Sequence, residues 1–202
     1  GLFVGDFYAN ISTEFISLII GVLIADTIAE RKDRIQERRD LLLQMGSPDN
    51  SFSVEAVRKL RSLGLITDGT LRKSVFIGAN LQNSDLSNAD LTQAVFERCN
   101  MRQVKLAYAN LYEAKLIDSL IMDADLRECN LEKSNLERAS LENANVQKSN
   151  LREASLRFAN LSGTDFSGSD LRGANLRGTD MRDADLSYTN LEGAKISEER
   201  LS

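Results

Sequence analysis

Histidine and tryptophan are absent from this 202-residue chain, proline occurs once and cysteine twice. Without histidine the chain lacks the commonest general base and the commonest metal ligand, which weakens the case for an enzyme without forbidding one. Two cysteines in a chain of this length do not make a disulfide framework, and they fit a reducing cytosol. No large excess of either charge is present. The formal net charge is -5, too mild an imbalance to point to a nucleic-acid partner. No nucleophile–base pair, phosphate-binding loop or metal-ligand cluster can be assembled from the residues. The expectation is therefore a protein that is not an enzyme, with no catalytic, cofactor-binding or metal-binding residues and no cofactor. The chain begins at Gly1 rather than Met and stops at Ser202 without an obvious terminus. Both ends are read as possible truncations of a longer protein.

What the chain does have is a repeat. From Leu71 every fifth residue is large and apolar: Leu71, Phe76, Leu81, Leu86 and Leu91, continuing without a slip to Leu186, Leu191 and Ile196. Two residues before each centre the side chain is small, as at Ala79, Ser84, Cys99 and Val104, and the residue just before the centre is usually Asn or Asp. A period of five matches neither the 3.6 of a helix nor the 2.0 of a strand. It requires a corner every five residues, so that the centre always points inward. Four right-angle corners close a coil of twenty residues, and coils stack at the ordinary strand spacing of about 4.8 Å. Burying one Leu is worth roughly 1.5–3 kcal/mol. Ordering five residues costs about 1–2 kcal/mol each in the backbone alone. A single pentad is thus unstable, and stability must come from neighbouring coils. About six and a half coils make a rod on the order of 30 Å long.

The unbroken pattern, with Ala79-Asn80-Leu81, Ala89-Asp90-Leu91, Ala159-Asn160-Leu161 and Ala184-Asp185-Leu186 as good instances, resembles the pentapeptide-repeat family and its A(D/N)LXX motif. The resemblance implies a mainly β fold, a right-handed quadrilateral β-helix over residues 69–196, preceded by α-helices. Some members of that family mimic DNA and bind DNA gyrase through a strongly negative surface. Here acids and bases interleave and nearly balance, so a soluble gyrase-binding mimic is the alternative rather than the leading reading.

Residues twenty apart are expected to stack. Glu113, Lys133 and Glu153 form one column of alternating sign, and Arg98, Asp118 and Arg138 another. Glu132 under Arg152, Glu137 under Arg157, Glu128 under Lys148 and Arg172 under Glu192 extend the pattern. Opposite charges across a strand pair contribute roughly 0.2–1 kcal/mol, so these columns read as support for the stack rather than as a ligand surface. Apolar outward residues are rarer. Tyr108, Tyr112, Ile117, Leu120 and Met122 fall within one coil, with Ile77 on the face of Ile117 and Phe158 further along. They are the candidate surface for a protein partner or for a second copy of the chain. Tolerance of single exposed apolar residues accounts for them equally well. Cys99 and Cys129 both occupy the small inward position and read as inert buried thiols.

Before the repeats, Phe15 to Ala25 is an uncharged and mostly apolar run. Extended back towards Asn10 it approaches the length of a membrane span, with Phe15, Leu18, Ile19, Val22 and Leu23 as its membrane-facing residues. Arg31, Lys32, Arg34, Arg38 and Arg39 follow, the charge bias of a cytoplasmic flank. The reading is a transmembrane helix over 1–28, crossing once, with the repeats in the cytoplasm. A buried or oligomer-forming helix is the alternative, while a signal peptide lacks the basic start and the cleavage pattern it needs. Glu14-Phe15 through Asp26 and the stretch Gln44–Asn50 are similar to those of bacterial pentapeptide-repeat proteins anchored in membranes, which implies a membrane complex among the partners. A helical stalk is expected over 29–46, a linker and capping helix over 47–68 with its helix near Ser53–Leu63, and the start of a C-terminal capping helix over 197–202. The function these features suggest is a membrane-anchored scaffold or accessory subunit that binds protein through the sides of the rod.

Overall fold

The computed structural model describes the backbone of residues 2–196 and the side chains of residues 15–196. It divides into two compact units, one ending at Asp40 and the other beginning at Leu41.

The first unit is helical. Helix α1 spans Leu2–Met45 without interruption. No breaker occurs between Ala29 and Met45, and Gly46-Ser47-Pro48 ends the helix. Every side chain from residue 15 to residue 40 is exposed. Among the described residues no helix is long and apolar enough to cross a membrane. The expected anchor built on Phe15, Leu18, Ile19, Val22 and Leu23 is therefore not supported. Length is the physical reason. At 1.5 Å per residue the run from Phe15 to Ala25 rises only ~16 Å, about half of a ~30 Å hydrocarbon core. Asp26, Glu30, Arg31 and Lys32 follow directly.

The second unit is a repeat β-helix with a helical cap. Parallel bridges join each residue just before a centre to its counterpart twenty residues on, from Val75↔Val95 and Asn80↔Asn100 through to Asp170↔Asn190. Four pentads therefore make one coil. Little of this is extended strand, because one residue per pentad bridges while the others turn the corner. Only β1 (Asn175–Leu176) and β2 (Lys195–Ile196) reach two residues, and they pair in parallel with Asn175 opposite Lys195.

The five backbone N–H groups of a pentad all need acceptors, and four find them in the backbone. In the pentad of Leu81 the centre donates to Asn100 O at 2.7 Å, Asn83 to Arg102 O at 3.0 Å, and Ser84 closes the corner onto Leu81 O at 3.0 Å. Asn100, one coil further on, donates back to Ala79 O at 2.9 Å. The residue two after the centre takes positive φ, as in the third position of a type II turn. Ordinary side chains hold this conformation throughout the array, with φ between 54° and 63°. Left-handed backbone costs an L-residue about 1–2 kcal/mol. The stacked coils must over-determine each corner to hold it.

The interior alternates large and small. Leu81, Leu86, Leu91, Leu111 and their successors are fully buried, with Ala79, Ala94 and Ala154 between them. The Phe76 and Phe96 rings stack with centroids 5.2 Å apart. Most hydroxyls and thiols at the small position donate to the carbonyl of the centre 23 residues earlier, while Ser134 and Thr179 turn to the centre three residues earlier. Ser149 reaches Leu126 O, Ser169 reaches Val146 O and Thr164 reaches Leu141 O, at 2.7–2.8 Å. They satisfy themselves inside the tube without cost to its packing.

The N-terminal end of the tube is closed by helix α2, Asn50–Ser62. It starts at the Asp49 carboxylate, which accepts from the Ser51 amide at 2.9 Å, a standard N-cap. It ends in a Schellman turn. Leu65 N–H donates to Leu60 O and Gly64 N–H to Arg61 O, with Gly64 at φ +71°, a conformation glycine takes without strain. Leu41, Met45, Ala56, Val57 and Leu60 cover the first coil's interior. The exposed rim of that coil is met group by group. Ser47 O accepts from Asn80 N–H, the Asn50 amide donates to Asn80 O and Gln82 O, Arg61 donates to Asp85 O and Ser87 O, and Ile66 O accepts from Asp90 N–H. An open sheet edge is thereby covered. The expected C-terminal capping helix at 197–202 lies outside the described residues.

One interior hydroxyl is stranded by this cap. Ser84 is buried and has no hydrogen-bond partner. The carbonyl most such hydroxyls take lies 23 residues earlier, where the chain is at Arg61 in helix α2 rather than in a coil, and Ser84 does not turn to the centre three residues earlier as Ser134 does. A buried unpaired hydroxyl costs about 1–3 kcal/mol, a made bond contributes about 1. Ser84→Ala should raise stability in urea titrations, by about 1 kcal/mol, and Ser149→Ala should lower it by a similar amount. Equal effects from the two substitutions would contradict this account of the interior.

Candidate functional site

Three positions of each pentad face outward, and the residue before the centre has a structural task. The fifth amide, that of the residue after the centre, has no backbone acceptor. The Asn or Asp side chain two residues earlier takes it, as Asn80 does for Gln82, Asp85 for Ser87, Asn130 for Glu132 and Asn190 for Glu192. This is the local side-chain-to-backbone bond that Asx residues favour. Val75, Val95, Lys105, Lys115, Leu120, Ser140 and Ser155 stand where the ladder expects Asn or Asp, and no such bond forms there. These departures from the repeat mark surface that the fold itself does not demand.

One face gathers most of them. Its column of bridges runs Val75, Val95, Lys115, Asn135, Ser155, Asn175 and Lys195. Its N-terminal half is aliphatic. Val75 is 62% exposed and Ile77 50%, while Val95 and Ile117 are half-buried. Ile77 and Ile117 were legible in the sequence as apolar outward residues. Val75 and Val95 were not singled out, although their place in the Asn/Asp column was the available signal.

The five candidate surface residues occupy successive faces of one coil. Tyr108, Tyr112 and Ile117 lie on three different faces, and Leu120 and Met122 share the fourth, as the twenty-residue register requires. Both tyrosines reach along the rod to the next coil. Tyr108 Oη donates to Glu128 Oε1 at 3.2 Å, and the Lys133 ammonium lies 5.8 Å from the Tyr112 ring centroid. The register puts Ile117 on the face of Val95 and Ile77, two coils from Ile77 with Glu97 in the column between them, and leaves the other four around the girdle.

The charges pair by a shorter rule than twenty-residue stacking. Where Arg follows the centre and Asp precedes it, the two close on each other within the pentad. Arg127–Asp125, Arg172–Asp170 and Arg182–Asp180 meet at 2.6–2.8 Å. Hydrogen bonds from these arginines hold Asp125 and Asp170 below the usual carboxylate range. Of the expected columns, Arg138 grips Asp118 at 2.7 Å, and Glu137 also turns to Arg138, at 3.0 Å, rather than to Arg157. Glu132 accepts from Asn150 at 3.0 Å. The local pair wins because two residues in one pentad are held by the same corner, whereas a column pair must order two long side chains from separate coils.

Residues 69–146 and 89–166 match the model of the pentapeptide repeat region, and residues 159–197 match that of pentapeptide repeats, in 8 copies. No curated protein matches. Among solved structures the chain is similar to a pentapeptide repeat protein from the Arabidopsis thaliana thylakoid lumen, with 24% identity over 57% of this chain and 73% of that one and a TM-score of 0.41. It is also similar to HetL of Nostoc sp. strain PCC 7120, a pentapeptide repeat protein involved in heterocyst differentiation regulation. There identity is 22% over 74% of this chain and 99% of that one, with a TM-score of 0.23. QnrB1, a plasmid-mediated fluoroquinolone resistance protein, gives 20% identity over 65% and 83% of the two chains and a TM-score of 0.23.

Inside the tube the two thiols lie in separate columns. Cys99 Sγ donates to Phe76 O and Cys129 Sγ to Leu106 O, both at 2.7 Å. Burial pushes the Cys99 thiol up to about 11 and the Cys129 thiol up to about 12, where almost no thiolate exists near neutral pH. Among the described residues no group of His, Cys, Asp and Glu could hold a metal ion. Ellman's reagent at pH 8 should leave both thiols unmodified in the folded protein and titrate both in denaturant. Rapid reaction of either thiol under native conditions would contradict the sealed interior.

Proposed function

Because the chain belongs to the pentapeptide-repeat family, we propose that it is a non-catalytic scaffold or accessory subunit whose β-helix, right-handed as the family resemblance implies, binds protein through its sides. The observation that carries this reading is the Val75–Lys195 face. Its outward residues before the centre leave the Asn/Asp rule at Val75, Val95 and Lys115, so their side chains serve something other than the corner. Val75 and Ile77 leave aliphatic surface open to solvent on a rod whose interior is already full. Exposed apolar surface that the fold does not require is a candidate protein contact site. Anchoring in a membrane is no part of the reading, since α1 contributes no described span. A gyrase-binding mimic remains the alternative from the same family, and a topoisomerase inhibition assay separates the two.

Purification of the chain from its native source in mild detergent, followed by identification of companions, tests the proposal. A companion should be retained by Glu142→Lys, which alters a different face, and lost with Ile77→Glu/Ile117→Glu. A monodisperse chain without companions, or companions indifferent to the Ile77/Ile117 pair, would overturn it.

A further inference from the structure

Among the described residues the other half of the same face is cationic without a paired acid. Arg157 and Arg177 occupy the position after the centre in adjacent coils, and Lys195 follows one coil on. Like charges stacked directly across neighbouring strands are destabilising. At Arg127, Arg172 and Arg182 such an Arg is neutralised by Asp two residues before it, whereas Arg102 and Arg152 follow Asn. Here those residues are Ser155 and Asn175. Among the described residues Arg157, Arg177 and Lys195 form no ion pair, and the acid beneath Arg157, Glu137, is taken by Arg138. Ser155 also makes no bond to the Arg157 amide, which leaves that N–H free to donate outward.

An exposed aromatic sits among these cations. Phe158 is 54% exposed, and the Arg157 guanidinium lies 5.1 Å from its ring centroid. The ring lies along the rod over Gly178, where an added Cβ would come within 2.5 Å of it. Glycine at that position is what gives the ring its seat. Arg157 is half-buried against the ring, while Arg177 and Lys195 are exposed.

We propose that Arg157, Arg177, Lys195 and Phe158 form a docking strip for an acidic protein segment, with carboxylates on the cations and an apolar side chain against Phe158. The proposal rests on the scaffold reading and names the chemistry of one partner. Guanidinium groups bind carboxylates by paired, charge-assisted hydrogen bonds. The strip is one face wide, and acids flank it on the neighbouring faces: Glu153 and Glu192 on one side, Glu142, Asp180 and Asp183 on the other. A nucleic acid needs many phosphates neutralised over a broad basic surface, and this chain carries a net charge of -5. A short acidic segment running along the rod meets cations without meeting those acids.

The test is fluorescence anisotropy with the full chain and a labelled peptide of glutamates around one central phenylalanine. A glutamine version, a single-stranded oligonucleotide and vesicles of anionic lipid serve as competing probes. The glutamate peptide should bind, and added salt should weaken it. Arg157→Gln/Arg177→Gln should weaken it about tenfold or more, as loss of charge-assisted bonds implies. Arg152→Gln/Arg182→Gln, the same change of net charge on other faces, should leave binding within about twofold, since its arginines lie among acids. Both double variants should keep the parent melting temperature. Absence of peptide binding, equal loss in the two double variants, or tighter binding of the oligonucleotide or vesicles would overturn the strip. If the strip fails while companions still depend on Ile77 and Ile117, the scaffold reading stands. If both dependences vanish, both readings fall.

Discussion

A chain that turns a corner every five residues must find an acceptor for each amide it turns outward, and this protein finds the last one in an Asn or Asp side chain. Four amides per pentad are taken by the coils above and below or by the corner itself. The fifth is taken by the carboxamide or carboxylate two residues earlier, as at Asn110–Tyr112 and Asp165–Ser167. Unpaired amides away from water are costly, and here the pairing also fixes the corner's direction. The family's characteristic polar letter is thus a backbone device. It is not evidence of a carboxylate site, even where the Asn and Asp residues line up in columns.

That device separates what the fold requires from what it allows. The apolar centre, the small neighbour and the Asx residue leave two free outward positions per pentad. Where a pentad gives up its Asx residue as well, it gives up a hydrogen bond. On the Val75–Lys195 face this happens repeatedly, with an aliphatic half around Ile77 and a cationic half around Arg157. The rigid rod holds these features at fixed spacing, which is how a repeat protein presents a binding surface without moving parts. Both the scaffold reading and the acidic-segment strip draw on this face, at different ends.

The tube was legible from the sequence because each pentad repeats one instruction. Leu131 and Ala139 sit where the period puts them, buried, and the cap was foreseeable from the apolar stripe of Ala56, Val57 and Leu60. The surface was less legible. Pairing Glu137 with Arg157 followed from the register alone, but Arg138, next in the chain, reaches the glutamate first. The local Asp–Leu–Arg pairing of Asp170 with Arg172 needed the corner's geometry to be seen. The N-terminal segment is a different case. Hydrophobic composition near Phe15–Ala25 and the flanking charge suggest a span, and among the described residues the apolar run before Asp26 is too short to support one.

Hydrogen exchange followed by NMR tests the central claim most directly, because it reads the fifth amide of each pentad separately. The amides of Gln82, Tyr112, Glu132, Gln147 and Arg172, which follow an Asn or Asp, should exchange slowly. Those of Ile77, Glu97, Ala107, Ile117, Met122, Glu142 and Arg157 should exchange far faster, although they lie in equally stable coils. Uniform protection across the two sets would show that the Asx bond does not hold the corner, and the account would fail.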